Sequence, residues 1–349
     1  MNSLPFGQLK SILKKGFVKM EKAVKEKAMT KKNKVIIISG AIAVVAIIAT
    51  LFYFLALKPT YDEAIVNYDT ALTNYNKVVS EYETKKGQIE AENEKLNVAI
   101  DELQSVVSSG EKPYNPDTIP ASNSAINEGK IALVEIPVWE YKGLKKPNDY
   151  NVFQAFGLKG DVEEVENFTS ELTDIVKTMQ IPDYSTVLKT VNDAKATLEH
   201  SIKQLKQVTC PSESFVLQRV TNIRDEAGMK DVISLTEDND PENHIGKAGW
   251  YTTKVIFHHK DVEHYGLDNG LLTLSEVGNP AGGCVEVYRT EDDAQRRADE
   301  LKGQEGTSRS PGARMVCGTV VIRVSDNLKA SYQQKLLEMI SAELLRVEE

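Results

Sequence analysis

Residues 35–57, VIIISGAIAVVAIIATLFYFLAL, form an uncharged, proline-free run of 23 residues in a chain that is otherwise polar and acidic. As a helix the run is about 34 Å long, enough to cross a hydrocarbon core of about 30 Å with some tilt. It predicts a single transmembrane helix. That constrains everything else, because the residues before it and after it must then fold apart, on opposite sides of a bilayer.

The flanks predict which side is which, since Lys and Arg close to a span are retained on the cytoplasmic face. Residues 1–34 carry ten lysines against Glu21 and Glu26, a net +8, and the chain total of −9 leaves −17 on residues 35–349. The N-terminus is expected inside, and residues 58–349 outside the cell membrane. A cleaved leader also begins basic and continues apolar, but its apolar core is normally about 7–15 residues, and no small-x-small cleavage site follows here. An uncleaved signal anchor fits better. In the basic segment itself, Leu9, Ile12, Leu13, Phe17, Met20 and Val24 recur at helical spacing among the lysines. Either they form an amphipathic helix in the inner headgroup layer or the segment is a topology signal alone.

Hydrophobic residues at 41% and charged residues at 27% describe a folded chain, and the outer part is long enough for about two domains. Directly after Pro59 the pattern changes to a 3-4 repeat. Tyr61, Ile65, Tyr68, Leu72, Tyr75, Val79, Tyr82, Lys86, Ile89, Asn93, Leu96, Ile100, Leu103 and Val107 predict a coiled-coil seam about 70 Å long. Lys86 and Asn93 are polar residues in core positions, and Gly87 beside them is a weak point for the helix. Two partners fit the seam: a second copy of the chain, giving a homodimer through the stalk, or later helices of the same chain. Tyr184 to Leu205 is nearly heptad and Val162 to Met179 is a further helical stretch, so the chain carries enough amphipathic helix to close the core itself, and this internal bundle is preferred. Residues 111–160 are partly irregular. Trp139, Tyr141 and Tyr150 among prolines either form a partner site or, the preferred reading, pin a loop to the bundle.

From Cys210 onward the pattern is mixed. Helices are expected at 211–223, 290–301 and 328–346, the second opened by the Thr290-x-x-Asp293 start signal, and strands at 231–235, 251–258, 284–288 and 315–324. The expected fold class is α+β, with four regions: a basic cytoplasmic segment at 1–34, the transmembrane helix at 35–57, an extracytoplasmic helical stalk or bundle at 58–209, and a compact α+β domain at 210–349.

Three strings in this last region, TEDNDPENHIGKAGWYT, GGCVEVY with DAQRRADEL behind it, and CGTVVIRVSDNLKASYQQ, carry a resemblance. In that order they resemble an extracytoplasmic domain of uncharacterised membrane-anchored proteins and lipoproteins of Gram-positive bacteria, over residues 212–345. The family's first motif is nearer D-P-N-G-x-L-G-K-P-G-x-Y-T, and this chain has Glu242 and Asn243 in place of N-G and Ala248 in place of the Pro. The resemblance implies a cell-envelope location and brings no activity and no catalytic residues.

Candidate chemistry is sparse. Asp238, Asp240 and Glu242, with Glu237 beside them, are oxygen donors close enough in sequence to suggest Ca²⁺. As an EF-hand begun at Asp238 the loop lacks Gly at its sixth position and has Gly249 rather than Glu at its twelfth, so a solvated acidic turn is preferred and no cofactor is expected. Pro241, Gly246 and Gly249 suit a tight excursion between strands. His258, His259, Glu263 and His264 could serve zinc, but adjacent histidines on a strand point to opposite faces. Ser275 is not in a nucleophile elbow, and the run GNPAGG lacks the ending of a phosphate-binding loop. The −17 balance opposes nucleic-acid binding. Of the three cysteines, Cys284 and Cys317 each open an expected strand, and were those strands parallel neighbours a disulfide would be favoured, against two buried thiols as the alternative.

These residues favour a non-enzymatic role. The expectation is a membrane-anchored extracytoplasmic binding or structural module that meets the lipid bilayer and an envelope protein or glycan. The alternatives are a metal-dependent enzyme or metal-stabilised head, and a signal transducer acting through a membrane partner.

Overall fold

A computed structural model describes Lys15, Val18, residues 31–304 and residues 311–348. Apart from Lys15 and Val18, the basic amphipathic segment before residue 31 lies outside the described residues. The chain forms two compact units, Met1–Glu92 with Val134–Pro182, and Asn93–Leu133 with Asp183–Glu349.

The first unit opens with α1 (Lys31–Phe52), continues through a π-helical turn (Tyr53–Leu57), and enters α2 (Lys58–Ser108) without a break. Among the described residues this is the one helix long and apolar enough to cross a membrane. Ile42, Val44, Val45, Ile47, Leu51, Phe54 and Leu55 are all exposed, a surface that water does not favour. The widened turn precedes Pro59, which has no N–H to give and whose ring crowds the carbonyl four residues back. In that turn the Lys58 N–H donates instead to the Tyr53 carbonyl.

The seam on α2 is covered by the chain itself. Residues 134–157 run beside α2 in the opposite sense, and α4 (Leu158–Thr178) then runs back beside it in the same sense; α3 (Thr118–Ala132) belongs to the second unit. Tyr61, Tyr68, Tyr75 and Tyr82 recur every seventh residue, and each hydroxyl meets the irregular segment's backbone. Tyr82 donates to the Pro137 carbonyl (2.9 Å), Tyr75 accepts from the Lys142 N–H (3.3 Å), Tyr68 donates to the Lys145 carbonyl (2.8 Å) and Tyr61 to the Tyr150 carbonyl (3.1 Å). An extended segment with no sheet partner needs such groups for its backbone, and a heptad of tyrosines supplies them at regular intervals. Trp139 packs edge-on against Tyr75 and Tyr82, so the aromatic residues do pin this segment. Lys85 Nζ, beside the polar core position 86, donates to the carbonyls of Val176 and Met179 and so caps the end of α4.

In the second unit, the end of α2 packs with α3 and α5 (Ser185–Gln207) around Leu96, Ile100, Leu103, Ile126, Val191, Leu198 and Ile202. Asn93, the other polar seam residue, accepts the Tyr184 hydroxyl at 2.6 Å. The remaining elements in chain order are α6 (Glu213–Asn222), β1 (Met229–Ser234), β2 (Thr253–His259), two single-turn helices α7 (Tyr265–Asp268) and α8 (Leu274–Val277), β3 (Gly282–Val287), α9 (Glu291–Lys302), β4 (Ala313–Cys317), β5 (Val320–Val324) and α10 (Ala330–Leu345). The fold class is α+β. The sheet order is β1-β2-β3-β5-β4, antiparallel throughout.

Two expectations are corrected here. The single strand expected over 315–324 is a tight hairpin, because Gly318 at φ +57° and Thr319 turn the chain between β4 and β5. The expected parallel pairing of the Cys284 and Cys317 strands is absent: β3 pairs antiparallel with β5, and β4 lies beyond it. Val255, Phe257, Val285, Val287, Cys317, Val320, Ile322 and Val324 share one face of the sheet with α6 and α10, whereas Cys284 joins Ile256 and Leu274 in a separate cluster. Alternation along the strands thus puts the two sulfurs on opposite faces, and both thiols are free.

Candidate functional site

Each of the three central strands carries one charged residue among apolar ones: Lys254 in β2, Glu286 in β3 and Arg323 in β5. Lys254 and Glu286 are direct cross-strand partners, and Arg323 is opposite Cys284, two residues from Glu286. All three share the face turned away from α6 and α10, and all are buried. Arg297 reaches them from α9.

Glu286, wholly inaccessible, is the hub. Its Oε1 accepts from Arg323 Nη1 at 2.7 Å and lies 4.0 Å from Lys254 Nζ, while its Oε2 accepts from the Tyr288 hydroxyl at 2.9 Å and from Arg297 Nε at 3.2 Å. Burial by itself pushes this carboxyl up, but the guanidinium of Arg323, then Arg297 and Lys254, outweigh it and hold Glu286 down to about 2. Three cations around one carboxylate would repel one another without a second anion, which Glu242 supplies: its Oε2 accepts from Lys254 Nζ at 3.0 Å and from the Tyr251 hydroxyl at 2.9 Å. Burial opposes the charged form of Lys254, and the carboxylates of Glu286 and Glu242 prevail and raise it.

The loop between β1 and β2 is built around Asp240. Its carboxylate accepts from the backbone N–H groups of Glu242, His244 and Ile245 and from the Tyr251 hydroxyl. Burial would raise this group, and the His244 and Ile245 amides with Tyr251 lower it. Gly246 and Gly249 hold φ near +75°, the left-handed turns that let the loop double back, and the Gly246 N–H donates to the Tyr251 carbonyl. This loop presents Trp250, stacked on His244 at 3.5 Å, with the Arg297 guanidinium 5.9 Å from the indole centroid. Beside it opens a cleft of about 290 Å³ lined by Ala248, Gly249, Trp250, Tyr288, Arg296, Arg297 and Glu300. Arg296 is braced by the Gly249 carbonyl (2.8 Å) and by Asp293.

The residues singled out from the sequence lie mostly elsewhere or act otherwise. Of the proposed Ca²⁺ donors, Asp240 is committed to backbone amides, Glu242 to Lys254 and Tyr251, and Asp238 is exposed. Among the described residues no three His, Cys, Asp or Glu side chains converge on a metal position. His258 bonds the Val262 carbonyl, His259 accepts from the Asp261 N–H, and His264 caps α7 through the Leu267 N–H. Burial lowers the pKa of His259. Burial likewise pushes the Cys284 thiol up to about 11, leaving it inert as a nucleophile.

The charged hub was not among the sequence candidates, although a signal was present: TKVIFHH, GGCVEV and VVIRV each place one charge inside an apolar strand, where an unpaired charge is costly. No protein family, curated protein or solved structure matches the chain.

Proposed function

We propose that the protein is a membrane-anchored binding module, its N-terminus cytoplasmic and residues 58–349 outside the cell, and that it engages an envelope component through the Trp250 cleft. The observation that carries this reading is the construction of the cleft. Its indole is stacked on His244, Arg297 is tied to Glu286 and Tyr288 is tied to the same carboxylate, so the lining is ordered before any ligand arrives. An aromatic floor flanked by two guanidinium groups, a tyrosine and Glu300 suits a polyhydroxylated ligand bearing a carboxylate, such as an acidic sugar unit of an envelope glycan. The basic flank at 1–34 and the apolar helix support the anchor and its direction.

The test titrates the full chain in nanodiscs with soluble acidic glycan fragments, following the heat of binding by calorimetry. Binding should be lost in Trp250→Ala and retained in Trp139→Phe. Equal binding by the Trp250→Ala protein, or no binding by the wild type, would overturn the assignment.

A further inference from the structure

The way residues 134–178 return along α2 places one exposed apolar turn at an informative level. Partners of the irregular segment on α2 descend from Tyr82 through Tyr75 and Tyr68 to Tyr61 as the segment runs from Pro137 to Tyr150. The chain then reverses. Leu158 and Val165 pack in the cluster of Tyr68 and Tyr75, and Leu172 and Val176 in the cluster of Tyr82 and Ile89. Residues 151–157 are therefore the reversal nearest the apolar run, which ends at Leu57.

Tyr61, whose hydroxyl holds the Tyr150 carbonyl, is four residues beyond Leu57, about 6 Å along the helix. A headgroup layer is about 5–8 Å deep, so Tyr150 falls near its outer rim. At about 2 Å per residue in the 3-10 turn that follows, the three residues to Phe153 span about 6 Å, the depth of that layer. Phe153 and Phe156 are 78% and 60% exposed. The turn is not loose: Asn151 accepts from the Phe153 N–H, the Asn151 N–H donates to Gln154 Oε1, and Ala155 is buried beneath. A turn braced in this way presents the two rings outward. Near it Lys145, Lys146 and Lys159 supply basic side chains, against Asp149 and Asp161.

We infer that the turn 151–157 is a second membrane contact, with Phe153 and Phe156 seated at the headgroup–acyl boundary of the outer leaflet and the surrounding lysines on anionic headgroups. Aromatic side chains partition to this layer and basic residues are drawn to it. The bilayer is the occupant because the same compact unit contains the apolar helix, and the turn lies at the level where that helix would leave the hydrocarbon. The contact would fix the first unit against the membrane surface at two points rather than leaving it to pivot on one helix. This inference rests on the anchor reading above.

The test uses the full chain carrying Cys210→Ser in vesicles of phosphatidylcholine and phosphatidylglycerol. Nitroxide labels are placed in turn at Phe153→Cys, Phe156→Cys, Val138→Cys and Ile42→Cys, and collision with oxygen is compared with collision with a water-soluble nickel complex. Val138, 87% exposed beside Tyr82, reports water, and Ile42, 64% exposed in the apolar run, reports hydrocarbon. The oxygen-to-nickel ratio at 153 and 156 should exceed that at 138 several-fold and approach the value at 42. Ratios at 153 and 156 equal to that at 138, with 42 in hydrocarbon, overturn the contact and leave the anchor standing. A water-like value at 42 removes the anchor and the contact together. Phe156→Trp keeps an aromatic ring at the site, and its added quenching by brominated lipids over the wild-type chain repeats the measurement; no added quenching counts against the contact.

Discussion

Replacing Glu286 by glutamine keeps the shape of the buried hub and removes its negative charge, leaving Arg323, Arg297 and Lys254 around a neutral amide. Two routes give the size of the loss. The carboxyl is lowered from 4.5 to about 2, and at about 1.4 kcal/mol for each factor of ten in proton affinity this is on the order of 3 kcal/mol. Removing one partner of a buried ion pair costs about 3–5 kcal/mol in general. Hydrogen exchange of the full chain reads the change locally. In the regime where exchange tracks the opening equilibrium, the slowest amides of β2, β3 and β5 should exchange roughly a hundred to several thousand times faster. Arg323→Met should cost less, because Glu286 keeps Arg297 and Lys254, and Arg297→Met least, because that side chain lies nearest to water. The native carboxyl binds its proton more weakly than the unfolded one. Its contribution is therefore complete above about pH 5 and is lost as pH falls from there through about 2. Protection in the wild type should fall over that window, and the Glu286→Gln protein should show a flatter acid limb. An Arg323→Met protein as destabilised as Glu286→Gln, or an unchanged acid limb, would refute the hub.

Other consequences concern packing and reactivity. Asn93→Leu should destabilise α5 by about 1–3 kcal/mol although it adds a hydrophobe to a seam, because the Tyr184 hydroxyl loses its acceptor; increased protection of residues 185–207 would show that this bond contributes nothing. Gly283→Ala should lower the thermal midpoint of the sheet, since a Cβ there would lie 2.2 Å from the Phe257 ring and 2.5 Å from the Arg323 carbonyl; an unchanged midpoint would contradict the close approach of β3 to its neighbours. In thiol labelling of the native chain only exposed Cys210 should react quickly, with Cys284 and Cys317 reacting on unfolding; a Cys284–Cys317 bridge in peptide mapping would overturn the placement of the two sulfurs on opposite faces.

Local pattern sufficed wherever one segment decides its own structure. The apolar run from Val35, the heptad positions along α2, and α9 with Thr290 accepting the Asp293 N–H were legible because helix periodicity and caps are short-range. The strands after residue 228 were legible within two residues at most ends, except that a run as apolar as 313–324 hides a hairpin whose turn is Gly318 and Thr319. Tyr61, Tyr68, Tyr75 and Tyr82 were visible as seam residues, but their hydroxyls made sense only once residues 137–150 were laid beside them. The site was less legible than the fold. The acidic loop drew attention for its charge density, whereas its structural work is done by Asp240, turned inward to backbone amides, and by Glu242, paired with Lys254.

Short-range pattern alone therefore established the apolar helix, the helical character of residues 58–107 and the α+β composition of the C-terminal region. Packing between distant segments was needed to settle which of them fill the α2 seam, that the sheet is antiparallel in the order β1-β2-β3-β5-β4, that Cys284 and Cys317 face apart, and that Lys254, Glu286, Arg297 and Arg323 converge. The reason is the range of the forces that choose. Periodicity and capping act over a few neighbours, while strand order and a buried charge's partners are selected by what distant segments bury together.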